Sequence, residues 1–190
     1  MKVYSFSGEE AKDIVISLAV LSLIFSYPSV LSNYNIFLIS LFVLGIAFIG
    51  HELAHKFAAR KLGFFAEYRM WKEGLLLAAI FAFVTNGQLI FAAPGAVYFS
   101  GRWLVRPKRK DIGKIGLAGP LVNIIFLIIF SLTPTSIIPF ARFAAMINAW
   151  LAIFNLIPFS PLDGEKVFNW DRRIWLVAVL IPVTGFVLLL

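Results

Sequence analysis

The chain has 190 residues, 61% of them hydrophobic and 14% charged, with a formal charge of +7. A soluble domain of this length carries roughly 25% charged and 45–50% apolar residues, so a single soluble core is excluded and an integral membrane protein is the direct reading. Cysteine is absent, which removes disulfides, thiolate metal ligands and cysteine nucleophiles together.

From the N-terminus, Met1 to Asp13 is mixed in charge. No small-residue cleavage site follows Ile14 to Phe25, so the start does not read as a cleaved signal peptide. Ile14 to Leu31 reads as a first span, followed by a short turn at Asn33, Tyr34 and Asn35. Ile36 to Lys61 reads as a second helix, Ile112 to Leu132 and Ile137 to Ile157 as further spans, and Ile174 to Leu190 as the last. Between them, Leu75 to Val84 is apolar and helix-like, Thr85 to Gln88 is a polar turn, and Leu89 to Phe99 reads as extended. The expected fold is a predominantly α-helical integral membrane protein. It has five to six transmembrane helices and a membrane-associated β-hairpin or re-entrant segment. One domain over residues 1–190, with no appended soluble domain, is expected.

Basic residues flank the 75–99 unit on both sides, at Arg60, Lys61, Arg69 and Lys72, and again at Arg102, Arg106, Lys108, Arg109 and Lys110. If all are cytoplasmic, the unit enters the membrane and returns to the same side, whereas a single crossing separates them. Extended backbone at membrane depth is tolerated only against protein or a wet cavity. The returning topology leaves Arg142 as the only one of 17 lysines and arginines near the outer side. It makes the protein multi-pass in the cell membrane, with its active site nearer the cytoplasmic face. The basic loops then face anionic lipid, and no nucleic-acid partner is expected.

The chain has two histidines, and both lie in His51-Glu52-Leu53-Ala54-His55. Four residues apart on a helix, they share one face and can grip one metal ion. Ionisable groups inside a bilayer are costly and therefore usually functional. With no thiolates available, imidazole suits Zn²⁺, which lowers the pKa of bound water to roughly 7. Glu52, turned about 100° from His51, can serve as catalytic acid and base. Asp163, in Pro161-Leu162-Asp163-Gly164, is the candidate third ligand. Two prolines break the helix before it, and Gly164 allows an unusual backbone angle. Asp-Gly is equally a common turn pair. Asn123 and Asn155 read as interhelical hydrogen-bond partners, with oxyanion stabilisation as the sharper alternative. Gly45 and Gly50 read as helix-packing positions.

Together these motifs resemble the site-2 protease family of intramembrane zinc metalloproteases (peptidase family M50). His51-Glu52-x-x-His55 matches H-E-x-x-H, and Asn155 to Gly164 matches N-x-x-P-x-x-x-L-D-G. Gly119-Pro120-Leu121-Val122-Asn123 resembles the G-P-x-x-N element between them. The resemblance implies one zinc per chain on His51, His55 and Asp163, with Glu52 catalytic. It implies a transmembrane protein as substrate, and pairing of an unwound substrate segment with the stretch Ala93, Pro94, Gly95, Ala96 and Val97. Strand addition would satisfy backbone groups that unwinding exposes. An ion or proton path, or an inactive helix-binding scaffold, would use the same intramembrane polar groups. No inverted repeat supports the first, and no missing ligand supports the second.

Overall fold

The computed structural model describes residues 6–88, 90, 94–101 and 107–190, and Ala93, Arg102 and Arg106 lie outside them. Seven α-helices and two strands follow in the order α1 (Gly8–Ser26), α2 (Asn35–Lys61), β1 (Phe64–Met70), α3 (Lys72–Val84), β2 (Gly95–Gly101), α4 (Arg109–Leu132), α5 (Ala141–Asn155), α6 (Asp163–Trp170) and α7 (Arg172–Leu189).

Three of these helices, α2, α4 and α7, are long and apolar enough to cross a membrane. The first expected span is displaced towards the N-terminus, and the fourth is shorter than read from the sequence. α1 starts at Gly8, so its first turns carry Glu9, Glu10, Lys12 and Asp13, and it stops at Ser26 before Pro28. α5 has 15 residues, about 22 Å at the α-helical rise. The outward faces of α4 and α7 are apolar, with Leu121, Ile125, Ile128 and Ile129 on one and Leu176, Val177, Leu180 and Val187 on the other exposed. The polar groups are inside instead. That inversion of a soluble helix is consistent with membrane association.

The extended segment is half of a two-stranded antiparallel sheet. β2 pairs with β1 from Phe64↔Gly101 to Met70↔Gly95, and α3 is inserted between the strands. β1 has no counterpart among the expected elements. Its buried positions alternate at Phe64, Ala66 and Tyr68, a period of two that is short enough to be lost between two apolar helices. The turn at Thr85 to Gln88 is present, with Asn86 and Gly87 both at positive φ.

α1 docks on this sheet through polar contacts. Glu10, 1% exposed, pairs with Lys56 of α2, and its other oxygen accepts the Tyr68 backbone N–H at 3.1 Å. The Tyr68 hydroxyl lies 2.9 Å from Ser17 Oγ and donates to Pro94 O at 3.0 Å. Burial pushes the Tyr68 phenol up, with Glu52 adding to the effect, so it stays a neutral donor. Tyr68 therefore fixes the entry to β2. The Arg142 guanidinium of α5 donates to Leu189 O and Leu190 O. It caps the C-terminus of α7, where a cation is favoured.

Breaking a buried ion pair strands one charge and costs about 3–5 kcal/mol, more than removing both. Lys56→Met is therefore expected to lower the thermal unfolding midpoint in detergent. Adding Glu10→Gln should restore part of the loss. Equal destabilisation of the single and double variants would contradict the pairing.

Candidate metal centre

His51 and His55 come one turn apart from α2, and Asp163 is the first residue of α6. All three are nearly fully buried. His55 Nε2 lies 2.9 Å from His51 Nε2, and Asp163 Oδ2 lies 2.9 Å from His55 Nε2 and 3.3 Å from His51 Nε2. The three donor atoms thus converge on one point, although 112 residues separate His51 from Asp163.

Each imidazole is oriented from behind. His51 Nδ1 donates to Asn123 Oδ1 at 2.6 Å, and His55 Nδ1 donates to Ile115 O at 2.7 Å. Both partners lie on α4. These bonds fix the tautomer, leaving each Nε2 with its lone pair towards the centre. Asn123 is fully buried, and its amide hydrogens go to Ala47 O at 3.1 Å and Asn148 Oδ1 at 3.0 Å. Asn148 in turn donates to Ala144 O at 2.9 Å. Asn123 therefore has no hydrogen left for an oxyanion: it belongs to the support behind His51. Asn155 differs, since it lines the cavity in front of the histidines and spends one amide hydrogen on Leu151 O at 2.9 Å.

Close approach of α4 and α6 depends on missing side chains. A Cβ on Gly119 would lie 2.3 Å from His55 Nε2 and 2.5 Å from His51 Nε2. Further along the same face, a Cβ on Gly116 would reach Lys166, and one on Gly113 would strike Trp170. Of the i, i+3, i+6 glycines of α4, Gly113 and Gly116 form the bed on which α6 lies and Gly119 admits the histidines of α2, a spacing visible in the sequence but assigned no role there. Gly164 is needed for space rather than for an unusual backbone angle: a Cβ would fall 2.2 Å from Leu156 O. Gly50 packs on Val122 and Phe126 as expected, whereas Gly45 faces open space.

Burial opposes the charge of Asp163, and the Lys166 ammonium, 2.9 Å from its Oδ1, favours that charge. Glu52 is buried on the same helix as the histidines. Its Oε2 has no hydrogen-bond partner among the described residues. A cavity of about 230 Å³ joins these groups to Trp71, Asn155 and residues Pro94, Gly95, Ala96, Val97 and Tyr98.

Over 196 aligned positions the chain is 40% identical to "Putative zinc metalloprotease MJ0611" of Methanocaldococcus jannaschii, covering 99% of this chain and 97% of that protein. The chain belongs to this zinc metalloprotease family. A second protein of that organism, "Zinc metalloprotease MJ0392", is 28% identical over 144 residues, which are 72% of this chain and 35% of the other. No family model matches the chain, and no solved structure does.

The donor set of the protease fits the family's metal. Tetrahedral zinc at ~2.0–2.2 Å from each ligand keeps ligand atoms about 3.3–3.6 Å apart. The observed separations of 2.9 to 3.3 Å are only slightly closer. Two neutral imidazoles and one carboxylate form a common catalytic zinc set, which leaves a fourth position open.

Gly119→Ala is expected to weaken zinc binding by roughly tenfold or more, since the displaced atoms belong to the candidate ligands. Gly45→Ala should leave it unchanged. Zinc content after dialysis against a graded chelator series checks both, and a Gly119→Ala protein with wild-type retention would contradict the packing account.

Proposed function

We propose that this metalloprotease is an intramembrane enzyme of the site-2 protease type, hydrolysing peptide bonds within or near transmembrane segments of membrane-protein substrates. The observation that carries the proposal is placement. The ligand histidines and Glu52 sit on a helix apolar enough to cross a membrane, and the cavity beside them is bounded by a β-strand.

In this reading His51, His55 and Asp163 hold one zinc ion. Bound zinc supplies Lewis acidity and makes a water ligand acidic enough to ionise near neutral pH. Glu52, whose Oε2 is unpartnered, takes a proton from the attacking water and returns it to the leaving amine. The second amide hydrogen of Asn155 is available to the carbonyl oxygen as negative charge develops there. β2 is paired only with β1 among the described residues, so its other edge can receive a substrate segment. Pro94, Gly95, Ala96 and Val97 would satisfy the N–H and C=O groups that unwinding exposes.

Charge supports an orientation. The C-terminal end of α2 carries Arg60 and Lys61, and the N-terminal ends of α4 and α7 carry Arg109, Lys110, Arg172 and Arg173. If α2, α4 and α7 cross the membrane, these ends share one side, and the positive-inside rule makes that side cytoplasmic. His55 is six residues before Lys61, about 9 Å along the helix, so the site is nearer that face. α1 and α5, completed by their flanking segments, bring the crossings to five, with α3 and β2 entering and returning.

The test uses proteoliposomes holding the enzyme and a protein with a single transmembrane segment, with products mapped by mass spectrometry. Cuts within or beside the apolar segment are expected, and Glu52→Gln should lose them while keeping its zinc. Cuts confined to soluble regions would refute the intramembrane reading, and cleavage by Glu52→Gln at the wild-type rate would refute the role of Glu52.

A further inference from the structure

Lys166 stands three residues beyond Asp163 on α6 and lines the same cavity. It is the only lysine or arginine among the described lining residues. Its Nζ lies 2.9 Å from Asp163 Oδ1, with the lysine side chain 25% exposed. The first turn of a helix disfavours a cation, because the positive end of the helix dipole is there. A partly buried lysine at this place therefore needs the carboxylate it contacts. Its aliphatic stem lies over Gly116, where a Cβ would come within 2.8 Å of Lys166 Cβ and 3.2 Å of Cδ. The glycine bed that seats Asp163 also sets the direction from which the ammonium arrives.

The two oxygens of Asp163 are divided between partners. Oδ2 faces the histidines at 2.9 and 3.3 Å, and Oδ1 faces Lys166. A carboxylate can ligate a metal through one oxygen or both. Ligation through both would add a ligand to the site and crowd the position that a catalytic zinc leaves open to water. We propose that Lys166 is a positioning residue that holds Asp163 to ligation through Oδ2 alone and so keeps the fourth position available. This rests on the reading of His51, His55 and Asp163 as the metal ligands. Because an ammonium also repels a bound cation, removal of Lys166 is not expected to empty the site. Its loss changes how Asp163 binds.

Cobalt(II) in place of zinc reports coordination number through its visible absorption. The test compares cobalt-loaded wild type, Lys166→Met, Lys166→Gln and Lys166→Arg, with metal content and metal-free unfolding measured alongside. Lys166→Met and Lys166→Gln should keep about one cobalt per chain and lose roughly twofold in visible molar absorption, as four ligands become five. Lys166→Arg, which still engages Oδ1, should keep the wild-type spectrum. Cleavage by the zinc forms of the two neutral variants should fall roughly tenfold in kcat with KM little changed. Metal-loaded neutral variants with wild-type spectra would overturn the role of Lys166 and leave the ligand reading intact. A folded wild type that binds neither zinc nor cobalt would overturn the ligand reading and this inference with it.

Discussion

The closeness of α4 to both α2 and α6 is the constraint on which the centre depends. Two donors lie on α2 and the third on α6, and the helix between them in space is α4. At Gly119 its backbone comes so near the imidazoles that one carbon atom would occupy their positions. At Gly116 and Gly113 the same face receives α6. Helices in lipid gain little from hydrophobic burial against one another, so association relies on packing, and small residues permit the closest packing. Here that packing has a second product: it delivers Asp163 to two histidines that precede it by more than a hundred residues.

The same closeness solves the problem of polarity in an apolar body. A buried polar group without a partner costs free energy, so the ones retained must satisfy each other. The sequence of contacts from Asn148 through Asn123 to His51 does this for one ligand, and the Ile115 carbonyl does it for the other. Asp163 is shared between the histidines and Lys166. Glu52 Oε2 departs from the pattern, as Ser40 Oγ and Trp150 Nε1 do elsewhere, being buried and unpartnered among the described residues. In the proposed function that oxygen is the one that meets the reacting molecule.

Much of this was legible in the sequence, and the boundary is physical. His51, Glu52 and His55 are local in sequence, so helical spacing alone predicts their shared face. α2, α4 and α7 follow from length and hydropathy. Asp163 needed its proline-broken context, and its convergence with the histidines is a tertiary fact. α1 is displaced from Ile14 to Leu31, and α5 falls short of Ile137 to Ile157, because apolar residues beyond Ser26 and before Ala141 continue the hydropathy without continuing the helix. β1 was missed because its seven residues adjoin a helix end and carry charged Glu67 and Arg69. Asn123 reads both as an interhelical partner and as an oxyanion donor, because spacing cannot tell which way an amide faces when several helices surround it; its contacts with Ala47, Asn148 and His51 decide for the first. The glycine spacing on α4 was present to be read, but its meaning lies in what packs against it.

Zinc-edge X-ray absorption of the purified protein in detergent tests the central claim most directly, because it sees the ligands rather than their consequences. The account predicts about one zinc per chain with two imidazoles and a further shell of oxygen at ~2.0–2.2 Å, and loss of part of that oxygen shell in Asp163→Ala. A folded protein without zinc, or a spectrum with fewer than two imidazoles, would contradict it.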